Sequence, residues 1–161
     1  MCQFKSAIVL KDRVYVPDHD HHSDMLDELG IPDDFAHASK VFVRVEVSPT
    51  DGDILSDVFG WRLKVDQDIL PDWWDAKDEA KRVKDAIKAW CDKHILREGV
   101  HEVKEGVWYA CNSSTVTAYG SSTVILPKLY QICNTVDLHD EAICVNHKTK
   151  KIGSAVKWKV E

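Results

Sequence analysis

Long apolar runs are missing from this chain of 161 residues, and the longest strongly apolar run is Ala-Ile-Val-Leu at residues 7–10. A bilayer-spanning helix needs roughly 20 apolar residues, so no membrane span and no membrane partner are expected. No basic segment followed by an apolar stretch opens the chain, which argues against a secretory leader. Glycine (7) and proline (5) are too few for a fibrous or low-complexity chain. Cysteine is sparse and poorly placed for pairing: Cys2, Cys91, Cys111, Cys133 and Cys144 are odd in number, widely spaced and form no Cys-x-x-Cys pair. That pattern excludes a secreted disulfide scaffold and a zinc ribbon and points to a reducing, cytoplasmic setting. Cys91, Cys133 and Cys144 lie in apolar patterns and read as buried, reduced thiols. A glycine-rich phosphate loop, a Ser-His-Asp pattern and a His-Glu-x-x-His pair are also missing, so no cofactor is expected.

What is present is an ordinary globular composition, 44% hydrophobic and 30% charged, with a formal charge of −6. The length suits one domain, or a domain with a small appendage. The charge is unevenly spread. Residues 17–39 hold no Lys or Arg but seven carboxylates, Asp18, Asp20, Asp24, Asp27, Glu28, Asp33 and Asp34. Residues 51–79 are again acidic, whereas Lys148, Lys150, Lys151, Lys157 and Lys159 make the end basic. The acidic front disfavours nucleic acid, which needs cations against its phosphates.

Residues 4–10 and 13–16 read as a hairpin about Lys11-Asp12, closed by Pro17. Ser23 suits the N-cap of a short helix over residues 24–29, stopped by Gly30 and Ile31-Pro32, and a further helical turn is expected at residues 33–39. Val41, Val43, Val45 and Val47 alternate with Phe42, Arg44 and Glu46, the pattern of a strand. A turn at residues 49–52 and a strand at residues 61–65 follow. The clearest element is a helix capped by Asp75 and running to about Ile95, with Ala80, Val83, Ile87, Trp90, Cys91 and His94 on its apolar stripe. The expectation is an α+β fold: a mostly antiparallel sheet packed on one long amphipathic helix, with a β-rich C-terminal segment of short rungs or hairpins. The core domain is placed at residues 1–98 and the β-rich segment at residues 99–161, packed on it as a single globular unit.

In that C-terminal segment Ser113-Ser114-Thr115-Val116 recurs eight residues later as Ser121-Ser122-Thr123-Val124. A short period rich in Ser, Thr and Val suggests stacked β rungs or a tight hairpin array. Further β segments are expected at residues 129–133, 141–146 and 154–160, with a turn at residues 146–150. The stretches Met-Cys-Gln-Phe-Lys-Ser at residues 1–6, Ile-Val-Leu-Lys-Asp-Arg-Val at residues 8–14 and Val-Asp-Gln-Asp-Ile-Leu-Pro-Asp-Trp at residues 65–73, together with this repeat, resemble a family of uncharacterised proteins from phages, prophages and gut bacteria. Longer members of that family extend the repeat into arrays. The resemblance transfers no activity. It implies a cytoplasmic accessory protein of a phage or mobile element, aimed at host machinery such as a defence system.

Four groups of residues carry candidate chemistry. Cys2 would become an N-terminal nucleophile on removal of Met1, with its own amine as base, giving an amidohydrolase-like or nucleotide-directed enzyme. Class II amidotransferases and abasic-site-crosslinking proteins also begin Met-Cys, but they continue with Gly where this chain has Gln3. His94, His101, His139 and His147 offer imidazoles to such a thiol, and spacing does not choose among them; His94 falls on the buried stripe. In the run Asp18-His19-Asp20-His21-His22 the weak metal candidates are His19, His21 and His22, but an extended chain splits them, His19 and His21 on one side and His22 with the aspartates on the other, so no metal site is expected. Asp66, Asp68 and Asp72 with Trp73 and Trp74 form an acidic, aromatic ridge suited to binding a protein. With no catalytic signature elsewhere, the favoured function is binding to a host or phage protein through that ridge, and the enzyme using Cys2 is the alternative. These residues name neither the partner nor the oligomeric state.

Overall fold

A computed structural model of the chain describes residues 4–129, 135–154, 158 and 159. The fold is α+β, and the described residues form three α-helices, one antiparallel sheet and one mixed sheet. Among the described residues no helix is long and apolar enough to cross a membrane. The chain divides into two compact units, Met1–Trp90 and Cys91–Glu161.

In the first unit, β1 (Lys5–Leu10) and β2 (Val14–Tyr15) form the expected hairpin, closed by Leu10 N–H donating to the Arg13 carbonyl at 2.8 Å. The chain then passes through helices α1 (His22–Glu28) and α2 (Phe35–Ala38) before β3 (Phe42–Ser48) returns antiparallel beside β1, and β4 (Arg62–Val65) adds the far edge. Val43, Val45 and Val47 are fully buried, as alternation requires. Phe42, on the opposite face, is buried too, because Met25 and Leu26 of α1 close over it with Ile8 and Leu10. With that second face covered, the Ser6, Ile8 and Leu10 side of β1 is buried as well as the Lys5, Ala7 and Val9 side. The α1 cap differs from the expectation. The helix starts at His22, its N-cap His21 makes no side-chain cap bond, and the Ser23 hydroxyl instead donates to Asp33 at 3.3 Å.

The long helix α3 (Ala76–His94) begins where expected, with the Asp75 carboxylate accepting from Lys77 N–H (2.9 Å) and Asp78 N–H (3.0 Å). Val83, Ile87, Trp90, Cys91 and His94 are its buried stripe. Burial of Val83 and of Ile87 contributes on the order of 1.5–3 kcal/mol each. Arg82 latches the helix to the first hairpin by donating to the carbonyls of Leu10 and Lys11. Lys84 reaches the Phe59 carbonyl at 2.8 Å.

The second unit contains β5 (Ile95–Val103), β6 (Val107–Ala118), β7 (Thr123–Leu126), β8 (Thr135–Leu138), β9 (Ile143–Asn146), β10 (Lys151–Ser154) and β11 (Trp158–Lys159). Residues 107–109 of β6 pair in parallel with β7, which pairs in parallel with β9; residues 115–118 of β6 lie parallel between β5 and β8. Parallel neighbours mean that the chain winds into stacked rungs rather than hairpins. Only β10 and β11 turn back antiparallel, against β9 and β8.

The eight-residue repeat is a half-turn of this winding. Counting from Val107, Thr115, Thr123, Thr135 and Ile143, the second and fourth residues face inward: half-buried Trp108 and buried Val116, Val124, Val136 and Cys144, then Ala110, Ala118, Leu126, Leu138 and Asn146. The eighth is small and buried at Ser114, Ser122 and Ala142. The sixth is left-handed at Asn112 (φ 54°), Gly120 (φ 54°) and Asp140 (φ 55°), residue types that tolerate that conformation best. Asn112 therefore bends β6 into two arms. At the last corner the Asn146 side chain accepts from Lys148 and Thr149 N–H, both at 3.0 Å, forming the expected turn. The expected β segment at residues 129–133 lies mostly outside the described residues.

Candidate functional site

The segment that follows β4 runs beside α2 and the start of β3, and Gln67 holds it there. Its side-chain oxygen accepts from Arg44 N–H at 2.9 Å, and its amide nitrogen lies 3.3, 3.1 and 2.6 Å from the carbonyls of Ala38, Phe42 and Ile69. A second tether follows at Trp73, whose indole N–H donates to the Lys40 carbonyl at 2.8 Å. The groove between segment and helix measures about 410 Å³ and is lined by Phe35, Ala38, Gln67 and Ile69 with Asp33, Asp34, Arg44, Asp66 and Asp68. Phe35 is 72% exposed, Leu70 42% and Ile69 36%.

Asp33, Arg44 and Asp66 are shared with an adjoining polar hollow of about 320 Å³, completed by His21, His22, Ser23 and Asp24. Arg44 forms an ion pair with Asp33, and its guanidinium lies 5.1 Å from the centre of the Phe42 ring. Asp66 sits between the Lys64 ammonium at 3.1 Å and His22 Nδ1 at 3.5 Å. The hydrogen bond from Lys64 holds the Asp66 carboxyl below the usual carboxylate range. The His37 backbone N–H does the same for Asp34, which caps α2. Both carboxylates are ionised at neutral pH.

The acidic ridge read from the sequence is thus only partly assembled. Asp66 and Asp68 line the groove, whereas Asp72 is exposed and not among its lining residues. Trp73 and Trp74 are both half-buried, their ring centres 6.3 Å apart, and neither is among the groove's lining residues. The exposed apolar side chains beside the carboxylates of the groove are Phe35 and Ile69, with exposed Leu70 next in the chain, and sequence reasoning passed over them. Their signal was isolation: each interrupts an acidic stretch without belonging to an apolar period.

The His-Asp run is dispersed. Asp18 accepts from the Trp90 indole at 3.2 Å, and Asp20 accepts from Lys5 at 2.9 Å and from Ser6 N–H at 3.0 Å. His19 turns to Glu28 at 3.1 Å, His22 reaches the Val45 carbonyl at 3.2 Å, and the His21 side chain is exposed. Glu28 also accepts from the Tyr15 hydroxyl at 2.5 Å, which lowers the carboxyl's pKa and raises that of the phenol. No group of three or more His, Cys, Asp or Glu side chains placed to hold a metal occurs among the described residues. His94 is buried, and its Nδ1 donates to the Val107 carbonyl at 2.7 Å with the Trp108 ring tilted against it, centres 4.8 Å apart, a packing role.

Cys91, Cys111 and Cys144 are buried and not disulfide-bonded; Cys2 and Cys133 lie outside the described residues. Burial pushes Cys144 up to about 11, which keeps it a protonated, weak nucleophile. Compared with protein-family models, curated proteins and solved structures, the chain finds no match.

Proposed function

We propose that the protein acts by binding another protein through the groove between α2 and the Gln67 segment. In this reading it is an accessory factor of a phage or mobile element, and its partner is a host or phage protein. One observation carries the reading: the exposed apolar side chains Phe35 and Ile69 line the groove beside carboxylates, and exposed Leu70 follows Ile69 on the segment pinned by Gln67. Apolar groups clustered at the surface are a liability unless something covers them. Fixing them in advance reduces the ordering entropy lost on docking. The surrounding carboxylates repel phosphate backbones, which disfavours nucleic acid.

Site-specific photocrosslinking tests this. A photoreactive phenylalanine analogue placed at Phe35 in the full chain should give one dominant crosslinked product in host lysate. Its yield should fall at least fivefold when Ile69 and Leu70 are both changed to Ser in a protein with an unaltered circular dichroism spectrum. A product that ignores the double change, or no product in host or phage-infected lysate, would overturn the reading.

A further inference from the structure

Resting on that binding role, we infer the chemistry of the partner: a segment presenting an apolar side chain flanked on both sides by lysine or arginine. The groove and the polar hollow meet along Asp33, Arg44 and Asp66 and make one bipartite cleft. Its apolar part is floored by Phe35, Ala38 and Ile69. Five carboxylates line the whole, at positions 24, 33, 34, 66 and 68, against the single guanidinium of Arg44.

The carboxylates are not equivalent. Asp33 is occupied by Arg44 and Ser23, Asp66 by Lys64 and His22, and Asp34 by the start of α2. The Asp24 and Asp68 carboxylates make no hydrogen bond or ion pair among the described residues. Asp24 lines the polar hollow and Asp68 the apolar groove, so an unused negative charge lies in each part. An occupant that seats an apolar side chain against Phe35 and Ile69 would place flanking cations against these two. An acidic occupant would meet net negative charge along the cleft. Charged groups placed this way select partners more than they add affinity, because like charges brought together are strongly unfavourable.

Fluorescence anisotropy with labelled synthetic peptides and the full-length protein tests the inference. The probes are a leucine flanked by arginines, the same peptide with glutamates for arginines, and the arginine peptide with serine for leucine. The arginine–leucine probe should bind at least tenfold tighter than either control. Asp24→Asn with Asp68→Asn should weaken it at least fivefold, and Asp68→Lys should narrow or reverse its advantage over the glutamate probe. Equal binding of the arginine and glutamate probes, indifference to the Asn pair, or no binding of any probe would overturn the inference. Photocrosslinking from Phe35 separates the two failures. If the crosslink persists while the probes do not discriminate, the docking role stands and the partner's chemistry is wrong. If both fail, the docking role falls as well.

Discussion

Lys5 is 1% exposed at the side chain, and three groups receive its ammonium: the Asp20 carboxylate at 2.9 Å, the His19 carbonyl at 3.0 Å and the Trp90 ring at 4.6 Å. Its aliphatic stem is part of the core, while its charge fixes the connector that leads into α1. Lys5→Ala removes both the volume and the cation, and it should destabilise the protein by about 2–3 kcal/mol in urea unfolding. Lys5→Met refills most of the volume. Asp20 is 45% exposed, so water can solvate the carboxylate left behind, and the methionine variant should lose clearly less. Equal losses for the two variants would mean that the charge, not the packing, is what matters at this position. The sequence could not announce this role. Alternation along β1 puts Lys5 with Ala7 and Val9, but its partner lies in a run of Asp and His that resembles a metal site. Only the fold shows that Asp18 and Asp20 point back toward Trp90 and Lys5 and that His19 turns away to Glu28.

At the scale of elements, legibility followed the strength of the local period. The α3 stripe was readable because Val83, Ile87, Trp90, Cys91 and His94 keep helical spacing over four turns, and the Asp75 cap agrees with it. The α1 cap was not, because Ser23 had a long-range competitor in Asp33 that no local pattern reveals. The eight-residue repeat was seen in two copies only. Val107, Thr135 and Ile143 begin three more, but four extra residues separate Thr123 from Thr135, and these copies share inward-facing positions rather than letters, with the left-handed corner recurring at Asn112 and Asp140. Gly120 shows how tight those corners are: at φ +54°, an added Cβ would lie 2.7 Å from the Lys104 carbonyl of the neighbouring rung. Gly120→Ala should therefore destabilise the second unit by roughly 1–3 kcal/mol. Gly120→Asn should be no milder, although Asn tolerates a positive φ at position 112. Hydrogen exchange across β6, β7 and β8 would register the loss. Rescue by Asn would mean that backbone conformation, not contact with Lys104, makes glycine necessary.

Across the whole molecule the negative charge belongs to one unit: residues 1–90 carry 19 carboxylates against 12 Lys and Arg, and residues 91–161 carry 8 against 9. The net −6 is thus −7 on the unit that bears the groove and +1 on the rung-built unit. A field of that kind acts on a basic partner before contact and decays over a Debye length of about 8 Å at physiological salt. Apolar side chains act only after contact. Encounter and residence should therefore respond to different substitutions. Changing Asp12, Asp27 and Asp72, exposed carboxylates of the first unit that line neither groove nor hollow, together to Asn should lower the association rate of the partner crosslinked from Phe35 and flatten its dependence on salt, leaving dissociation little altered. Phe35→Ala should leave association nearly unchanged and raise the dissociation rate by about 30-fold, the equivalent of about 2 kcal/mol for an interface hot spot. Surface plasmon resonance at two or more salt concentrations would resolve the two effects. Should the aspartate changes act mainly on dissociation, those carboxylates make direct contacts in the complex, and the charge of the first unit does not steer the partner to it.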